Sequence, residues 1–526
     1  LRTVSADKLD RWIADVLQPS PDFTRQVKET VRQMCEFLKR SCFEGNIRVL
    51  KTVKGGSAGK GTALRNNSDA DVVLFLSCFS SYEDQMKDRK YILDLIKTRL
   101  RACRETLTFT AKIEEPRYKG PANTPRSLSL TIRSKNTTES IEADLLPAYD
   151  ALGQVFWDVP PAPEVYVKLL DARRAPGEFC PCFTELQKNF VKRHPAKMKN
   201  LLRLVKHWYK EVRGCLASWA PTGHLPWPPL TSLSSPQMLK PQYPKADLPP
   251  KYALELLTVY AWQEGTASSE SFDMARGFRT VLELLRRHQD ICIYWDTYYS
   301  LQHSQIGAHV KKLLAMPRPV ILDPADPTGI LGQGKKWDLV AKAATQHLSL
   351  PCIRSAQPWD VQPARLVTIE VKQLVGTSLV RTVSPSIAIW QLKEEIELAW
   401  GIPRYSQSLA LKDPEGCIIT PRDDESLATH GIFYSTTLTL LQTKTQPMQV
   451  FVKDDKNRTT TYTVKPTDTV RQLKEQIHAQ QGPPADQQRL TYDSRELEDR
   501  HTLAHYHIKP RSYIFMLLRL RGGAEP

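Results

Sequence analysis

Hydrophobic and polar residues follow two different periods in the first part of the chain. Residues 7–18, 22–43 and 83–104 place apolar side chains three or four positions apart, which is the spacing of one helix face. Residues 127–132 alternate Leu and Ile with Ser and Thr, as a half-buried strand does, and residues 140–148 form a second strand-like segment after a polar turn. This region therefore predicts a sheet accompanied by amphipathic helices.

The pattern becomes mainly helical from about residue 163. Residues 214–250 are rich in Pro, Ser and Trp without periodicity, which predicts a long exposed loop. A proline-rich connector is expected near 317–328, and a linker begins within 355–365. Further helices are predicted at 251–262 and 336–348.

The last third of the chain is an internal repeat. The sequence QLKEEI at 391–396 returns as QLKEQI at 472–477, and LATHGI at 427–432 is echoed by LAHYHI at 503–508. Each copy has an alternating hairpin, one helix and a closing apolar strand. The repeat predicts two small domains of a size near the lower limit of independent stability.

One polar stretch carries the candidate chemistry. Residues 54–61 (KGGSAGKG) form a glycine-rich turn, whose amides and Ser57 hydroxyl are suited to a phosphate. Asp69 and Asp71 follow, just before the apolar run 72–76, so they would share one face of a strand. Paired carboxylates with substrate phosphates are typical ligands of Mg²⁺. The stretch resembles the polymerase-β-like nucleotidyltransferases, which predicts phosphoryl transfer on a nucleotide.

Simpler explanations exist for each part of this stretch. A glycine-rich turn is more often a plain turn, and Asp-x-Asp is more often a solvated surface. The stretch is not a P-loop, because Lys60 is followed by Gly61 instead of Ser or Thr. The combination of both parts with an apolar strand is much rarer than either alone.

The nucleotidyltransferases take a third carboxylate from a later strand. Asp144 is the candidate, because it lies in the strand-like segment after the hairpin signal. Glu142, two residues earlier, would point to the same face and is a rival. Spacing along the sequence does not choose between them.

Composition and charge predict the type of protein and the chemistry of a binding partner. With 41% hydrophobic and 25% charged residues, the chain is typical of a globular protein of several domains. Of 73 Lys and Arg and 57 Asp and Glu, 20 and 19 lie in 366–526, which leaves 53 and 38 in 1–365. This one-sided excess predicts a polyanionic partner, nucleic acid, for the first part. The ten cysteines lack a framework spacing, and no apolar run spans a bilayer, so we expect reduced thiols, a cytoplasmic location and no membrane.

These residues now resemble a known family, the 2′-5′-oligoadenylate synthetases, over roughly residues 1–355. Six segments carry the resemblance: KGGSAGKGT at 54–62, SDADV at 68–72, RLVKHWY at 203–209, YALELLTVYAW at 252–262, GFRTVLEL at 277–284 and PRPVILDPADP at 317–327. Residues 447–523 resemble ubiquitin, with MQVFVK at 448–453 and LRLRGG at 518–523, and residues 366–441 are a more distant copy. This arrangement is that of the oligoadenylate synthase-like proteins of the interferon response, which serve antiviral innate immunity.

The resemblance implies an α+β architecture of four parts. A polymerase-β-like nucleotidyltransferase lobe at 1–158 and a helical lobe at 159–355 would precede two β-grasp ubiquitin-like domains at 366–442 and 447–523. The inactive members lose Asp-x-Asp, whereas Asp69, Asp71 and Asp144 all stand here. The chain therefore resembles the catalytically competent branch.

The resemblance also implies a reaction. The 2′-hydroxyl of one ATP or oligoadenylate would attack the α-phosphorus of a donor ATP and release pyrophosphate, with two Mg²⁺ ions between the aspartates and the phosphates. Asp144 would also lie near the acceptor hydroxyl. Ser57, Lys60 and Lys206 match donor-phosphate positions, and Lys251 and Tyr252 match the nucleotide site, although Lys251 stands where some members have glutamine.

Double-stranded RNA activates the family by binding across its two lobes, through phosphates and 2′-hydroxyls. The matching positions are Lys39, Lys54, Lys188, Lys192 and Lys197. RNA would draw the lobes together and bring Asp144 into line with Asp69 and Asp71.

Three departures refine this interpretation. Residues 352–354 (CIR) replace the Cys-Phe-Lys associated with self-assembly, which favours a monomeric synthetase unit. Thr491 replaces the central isoleucine of ubiquitin's recognition patch, while Phe515 and Leu517 keep the flanking positions. Residues 522–523 (GG) are followed by Ala-Glu-Pro, so we expect an uncleaved module for a protein partner.

Two alternative functions remain at this stage. The chain would be a non-catalytic RNA-binding scaffold that acts through its ubiquitin-like domains, or a nucleotidyltransferase that adds to an RNA end. The three functions predict different outcomes. A synthetase makes short 2′-linked products, a scaffold binds RNA without making product, and an end-adding enzyme puts label into long RNA.

Overall fold

The structure of the chain is a computed structural model. It describes residues 1–65, 69–103, 107–114, 125–134, 140–156, 159–217, 247–413, 416–444, 447–480 and 482–518. The chain folds into two compact units, one of residues 1–366 with 431–434 and one of 367–430 with 435–526.

The first unit begins with a mixed five-stranded sheet. Its strands are β1 (Val49–Lys54), β2 (Asp69–Leu76), β3 (Phe109–Ile113), β4 (Leu128–Ser134) and β5 (Ile141–Ala148), in the order β1-β2-β5-β4-β3. Only β2 and β5 pair in parallel. The helices of this region are α1 (Leu9–Trp12), α2 (Pro21–Arg40), α3 (Gly56–Lys60) and α4 (Tyr82–Ala102).

The core lies on one face of this sheet. The apolar stripes of α2 and α4, which include Val31, Met34 and Ile96, pack with Val72 and Leu145 of the central strands. Ser20 caps α2, since its hydroxyl accepts from the Phe23 amide. The helical period of residues 22–43 and 83–104 therefore predicted these two helices.

The remainder of the first unit is mainly helical, as the sequence indicated. Its helices are α5 (Pro163–Asp171), α6 (Thr184–Lys192), α7 (Ala196–Ala217), α8 (Lys251–Thr266), α9 (Met274–Arg286), α10 (Ser304–Leu314) and α11 (Trp337–His347). Two short parallel strands, β6 (Cys292–Ile293) and β7 (Val320–Ile321), interrupt them.

Two boundaries differ from the sequence prediction. The helix expected at 7–18 is divided into a 3₁₀ turn, α1 and a π-helical turn over Ile13–Leu17. The long loop expected from 214 begins later, because α7 continues to Ala217. Residues 218–246 of that predicted loop lie outside the described residues.

The second unit contains the repeat as two similar folds. The first has strands β8 (Val367–Gln373), β9 (Ser378–Val383), β10 (Gln407–Lys412), β11 (Ile418–Ile419) and β12 (Thr436–Gln442), with helix α12 (Ile389–Trp400). The second has β13 (Met448–Lys453), β14 (Thr459–Val464), β15 (Gln488–Tyr492), β16 (Arg495–Glu496) and β17 (Tyr513–Leu518), with α13 (Val470–Ala479). Both sheets have the same strand order, with the first and last strands parallel at the centre.

The repeat extends to buried polar contacts. The Gln407 side-chain amide donates to the carbonyl of Lys393, and the Gln488 amide donates to that of Lys474. Each of these lysines also forms an ion pair with an aspartate at 2.6 Å. The internal repeat predicted from sequence is confirmed as two copies of one α+β fold.

Candidate active site

Main-chain pairing places two of the predicted carboxylates side by side. In the parallel pair of β2 and β5, Asp71 lies opposite Asp144. Partners in adjacent strands lie about 4.8 Å apart and project to the same face. Their neighbours Val72 and Leu145 face the buried core, so Asp71 and Asp144 project from the opposite face, where both are half-buried.

The rival acid, Glu142, lies two residues before Asp144 on the same strand. Glu142 lies opposite Asp69 and is exposed. The side chain of Asp69 lies outside the described residues, so the structure gives its strand position and no more. Asp144 is the acid aligned with Asp71, and Glu142 is aligned with Asp69.

Ser129 orients Asp144. Its hydroxyl, on the neighbouring strand β4, donates to Asp144 Oδ1 at 2.5 Å. Ser129 is buried, so this bond fixes one carboxylate oxygen of Asp144. Within the described residues no group of three or more His, Cys, Asp or Glu forms a metal site. The hard oxygens of Asp71 and Asp144 nevertheless suit Mg²⁺, which binds through one or two carboxylates together with substrate phosphates.

The glycine-rich turn begins beside these acids. The Gly55 amide donates to the Asp71 carbonyl at 2.7 Å, and helix α3 follows directly. A Cβ on Gly55 would lie 2.7 Å from Cγ2 of Thr184, and a Cβ on Gly59 would lie 2.1 Å from the Lys54 carbonyl oxygen. Glycine is therefore required at both positions, because the turn packs closely against β1 and α6. Ser57 is buried within the turn.

Two predicted nucleotide residues, Lys60 and Lys206, contact an acid that the sequence analysis did not select. Lys60 Nζ lies 2.9 Å from Oε2 of Glu255, and Lys206 Nζ lies 3.2 Å from its Oε1. Lys60 also lies over the ring of Tyr252, 3.9 Å from its centroid. Burial would raise the pKa of Glu255, but the charges and hydrogen bonds of both lysines lower it to about 2. Glu255 is therefore an anion between two cations.

A second buried acid adjoins this cluster. Asp323 accepts from the Tyr252 hydroxyl at 3.3 Å and from the Gln187 amide at 2.5 Å. Burial, with the nearby charge of Asp326, raises the pKa of Asp323 to about 7. Through these contacts the loop before α11 connects α6 with α8. Lys251, the first residue of α8, is half-buried beside Tyr252.

The predicted RNA residues are distributed over β1, α2, α6 and α7. Lys54 is exposed at the end of β1, directly before the turn. Lys188 and Lys192 lie on α6, and a Cβ on Gly59 would be 3.7 Å from Cδ of Lys188. Burial lowers the pKa of Lys188. Lys197 forms an ion pair with Asp10 at 3.4 Å, and Lys39 is exposed in the last turn of α2.

The main-chain pairing of β2 and β5 places Asp144 opposite Asp71. That RNA draws the two lobes together stays a prediction. A neighbouring ion cluster attaches α6 to the sheet, since Lys51 pairs with Asp150 at 2.8 Å and Glu185 at 3.4 Å.

Comparison with protein families defines the class. The chain matches the nucleotidyltransferase domain over residues 34–120 and the model "2′-5′-oligoadenylate synthetase 1, domain 2, C-terminus" over 159–225 and 236–366. Residues 366–438 match a ubiquitin-like domain, and 450–521 match the ubiquitin family. It is thus a nucleotidyltransferase-type unit of the oligoadenylate synthetase class, joined to two ubiquitin-like domains.

Full-length relatives narrow the class to a family. 2′-5′-oligoadenylate synthase-like protein 2 of Mus musculus is 38% identical over 98% of both chains. 2′-5′-oligoadenylate synthase-like protein 1 of Rattus norvegicus is 39% identical over 100% of this chain and 98% of its own. The chain belongs to the 2′-5′-oligoadenylate synthase-like proteins. 2′-5′-oligoadenylate synthase 2 of Mus musculus is 41% identical over 71% of this chain and 47% of its own length.

Sequence reasoning missed Glu255, Ser129 and Asp323. Glu255 had a usable signal, because it is the one acid in the apolar run 252–262 of helix α8, about one turn after Tyr252. Asp323 lies in a proline-rich segment that was interpreted as a rigid connector. Ser129 had no distinguishing signal within an alternating strand.

Proposed function

We propose that the first unit joins ATP molecules through 2′-5′ linkages when double-stranded RNA binds. The observation that supports this most directly is the alignment of Asp71 with Asp144 beside a glycine-rich turn. Membership in the synthase-like family supports the nucleotidyltransferase class.

In this reaction the 2′-oxygen of the acceptor bonds to the α-phosphorus of the donor as the bond to the pyrophosphate oxygen breaks. Asp144, which the Ser129 hydroxyl contacts, would lie near the acceptor hydroxyl and accept its proton, as the family resemblance implies. Two Mg²⁺ ions on the aspartates would supply charge stabilisation to the phosphates. Lys60, Lys206 and Ser57 would bind donor phosphates, with Lys251 and Tyr252 beside the nucleotide.

The phosphates of the RNA would bind to lysines on and beside α6. Lys54 and Lys188 border the turn, and Lys192 is exposed on the same helix as Lys188. Lys39 and Lys197 extend this set. Because α6 contacts the turn through Thr184, RNA bound on this helix would act directly on the nucleotide site.

The decisive test changes one carboxylate at a time. With ATP, Mg²⁺ and double-stranded RNA, Asp71→Asn and Asp144→Asn should each reduce 2′-5′ oligoadenylate synthesis by at least about 100-fold, because both act at the reacting phosphate. Glu142→Gln is the matched control, since it neutralises an acid on the same strand that is not aligned with Asp71. Product formation and pyrophosphate release are measured together.

Equal losses in Glu142→Gln and Asp144→Asn would contradict this assignment. Wild-type protein that binds RNA but gives no product would identify the scaffold function instead. Label in long RNA would identify an end-adding enzyme. The scaffold has one supporting observation: Phe515 and Leu517 of β17 are about half exposed and would form a contact surface for a protein partner.

The remaining properties are part of the same proposal. The synthetase unit acts as a monomer, and the ubiquitin-like domains are uncleaved interaction modules. The prediction that the module is not cleaved concerns residues 522–523, which lie outside the described residues. Among the described residues, no helix is long and apolar enough to cross a membrane.

A further inference from the structure

The two lysines assigned to donor phosphates already have an anionic partner within the protein. Glu255 lies between Lys60 and Lys206, with one carboxylate oxygen on each ammonium group. All three side chains are largely buried, with 12%, 8% and 7% of Lys60, Lys206 and Glu255 exposed. Burial strengthens such contacts, since solvent screening is weak there.

The hydrogen-bond capacity of the lysines is largely used in this arrangement. An ammonium group has three N–H donors. For Lys206 the acceptors are Glu255 at 3.2 Å and, within Thr62, the carbonyl oxygen at 3.1 Å and the hydroxyl at 3.3 Å. Lys60 donates to Glu255 at 2.9 Å and has one side against the Tyr252 ring. A phosphate that reaches these groups must share or replace the Glu255 contacts.

We propose that Glu255 is a built-in competitor of the donor phosphates, which occupies Lys60 and Lys206 and keeps nucleotide affinity low until the cluster is rearranged. This inference rests on the proposed function for the identity of the ligand. Nucleotide binding at this site would thus be regulated by a carboxylate that contacts both phosphate-binding lysines.

The physical reason is repulsion between like charges at a shared partner. A polyphosphate bound to both ammonium groups lies within a few ångströms of the Glu255 carboxylate, in a poorly screened environment. Neutralising Glu255 removes this repulsion and leaves the two lysines without their internal partner. Both effects favour an external anion.

The test measures binding, so that it does not depend on turnover. The probe is inorganic tripolyphosphate without Mg²⁺, titrated into the full chain by calorimetry in the absence of RNA. Glu255→Gln should lower the Kd by about 5-fold or more, within the range typical of coupling between sites. An α,β-methylene analogue of ATP should show the same ratio.

Glu178→Gln is the matched control. Glu178 is also buried, and it pairs with two cations, Arg89 at 2.7 Å and Arg126, instead of with the lysine cluster. Its neutralisation breaks comparable ion pairs and should leave the Kd unchanged. Melting temperatures of both variants show that any change in affinity does not come from loss of fold.

A second pair of variants covers the case in which Glu255→Gln does not fold. The double variant Glu255→Gln with Lys206→Met removes one charge of each sign and is compared with Lys206→Met alone. The double variant should bind tripolyphosphate more tightly, because only Glu255 differs between the two.

Equal or weaker binding by Glu255→Gln, or no binding at all, overturns the inference. If wild type nevertheless makes 2′-5′ oligoadenylates, the proposed function stands and only the role of Glu255 is wrong. If no variant binds the probe and wild type makes no product, both are wrong.

Discussion

At the residue scale, burial determines the charge of Asp323. Its carboxylate accepts from Tyr252, Gln187 and the Ala325 amide, yet burial and Asp326 raise its pKa to about 7. In the unfolded chain the same group would titrate near 3.8. Between these two values the folded protein binds a proton that the unfolded chain has lost. The contribution of Asp323 to folding stability therefore falls as pH rises from about 4 to about 7 and is level above that range.

Asp323→Asn should remove this pH dependence. The melting temperature of wild type should fall relative to that of the variant between pH 5 and pH 8, because the variant has no carboxyl group to ionise. Asp326 is present in both proteins but is coupled to Asp323, so the difference reports the loss of Asp323 together with this coupling. Parallel pH profiles of the two proteins would show that Asp323 does not titrate in this range.

At the element scale, a close packing contact joins the glycine-rich turn to α6. The space at Gly55 is filled by Cγ2 of Thr184, the first residue of that helix. The alignment of Asp71 with Asp144 belongs to the sheet and does not depend on this contact. The turn is therefore positioned by a helix that also carries Lys188 and Lys192.

Gly55→Ala should destabilise the protein by about 1–3 kcal/mol through overpacking against Thr184. The double variant Gly55→Ala with Thr184→Ser, which deletes the clashing methyl group, should recover most of that loss. Urea unfolding of both variants and of Thr184→Ser alone gives the coupling between the two positions. Additive losses would place the strain elsewhere.

The elements around the sheet could largely be predicted from sequence, because their periods are long and regular. The alternation of β5 was sufficient to propose Asp144, although only the register chose it over Glu142 as the partner of Asp71. The Glu255 cluster could not be predicted, since it joins α3, α7 and α8 across 195 positions of sequence. Contacts of that kind depend on how helices pack, which no local pattern specifies.

At the scale of the whole molecule, nearly all of the net positive charge lies in the part that contains the candidate site. Residues 1–365 carry an excess of 15 basic residues, and residues 366–526 carry an excess of one. Counterion release makes the affinity for nucleic acid fall with salt in proportion to the number of phosphates contacted.

Replacing both Lys188 and Lys192 with Gln should weaken RNA binding and reduce the slope of log affinity against log salt by about 1–2. The matched control replaces the exposed Lys412 and Lys456 of the ubiquitin-like domains, which should leave the slope unchanged. Fluorescence anisotropy of a labelled duplex at several salt concentrations measures both. Equal changes in the two variants would indicate a general effect of net charge.

The two equivalent buried lysines of the second unit have a practical use. Lys474 is only 2% exposed and pairs with Asp499, and Lys393 pairs with Asp423 in the same way. Because each lysine is ion-paired and largely buried, an amine-reactive reagent should modify it mainly after the helix that carries it has opened. Their rates of acylation under native conditions, followed by mass spectrometry, therefore report how often each ubiquitin-like domain opens, independently of the other.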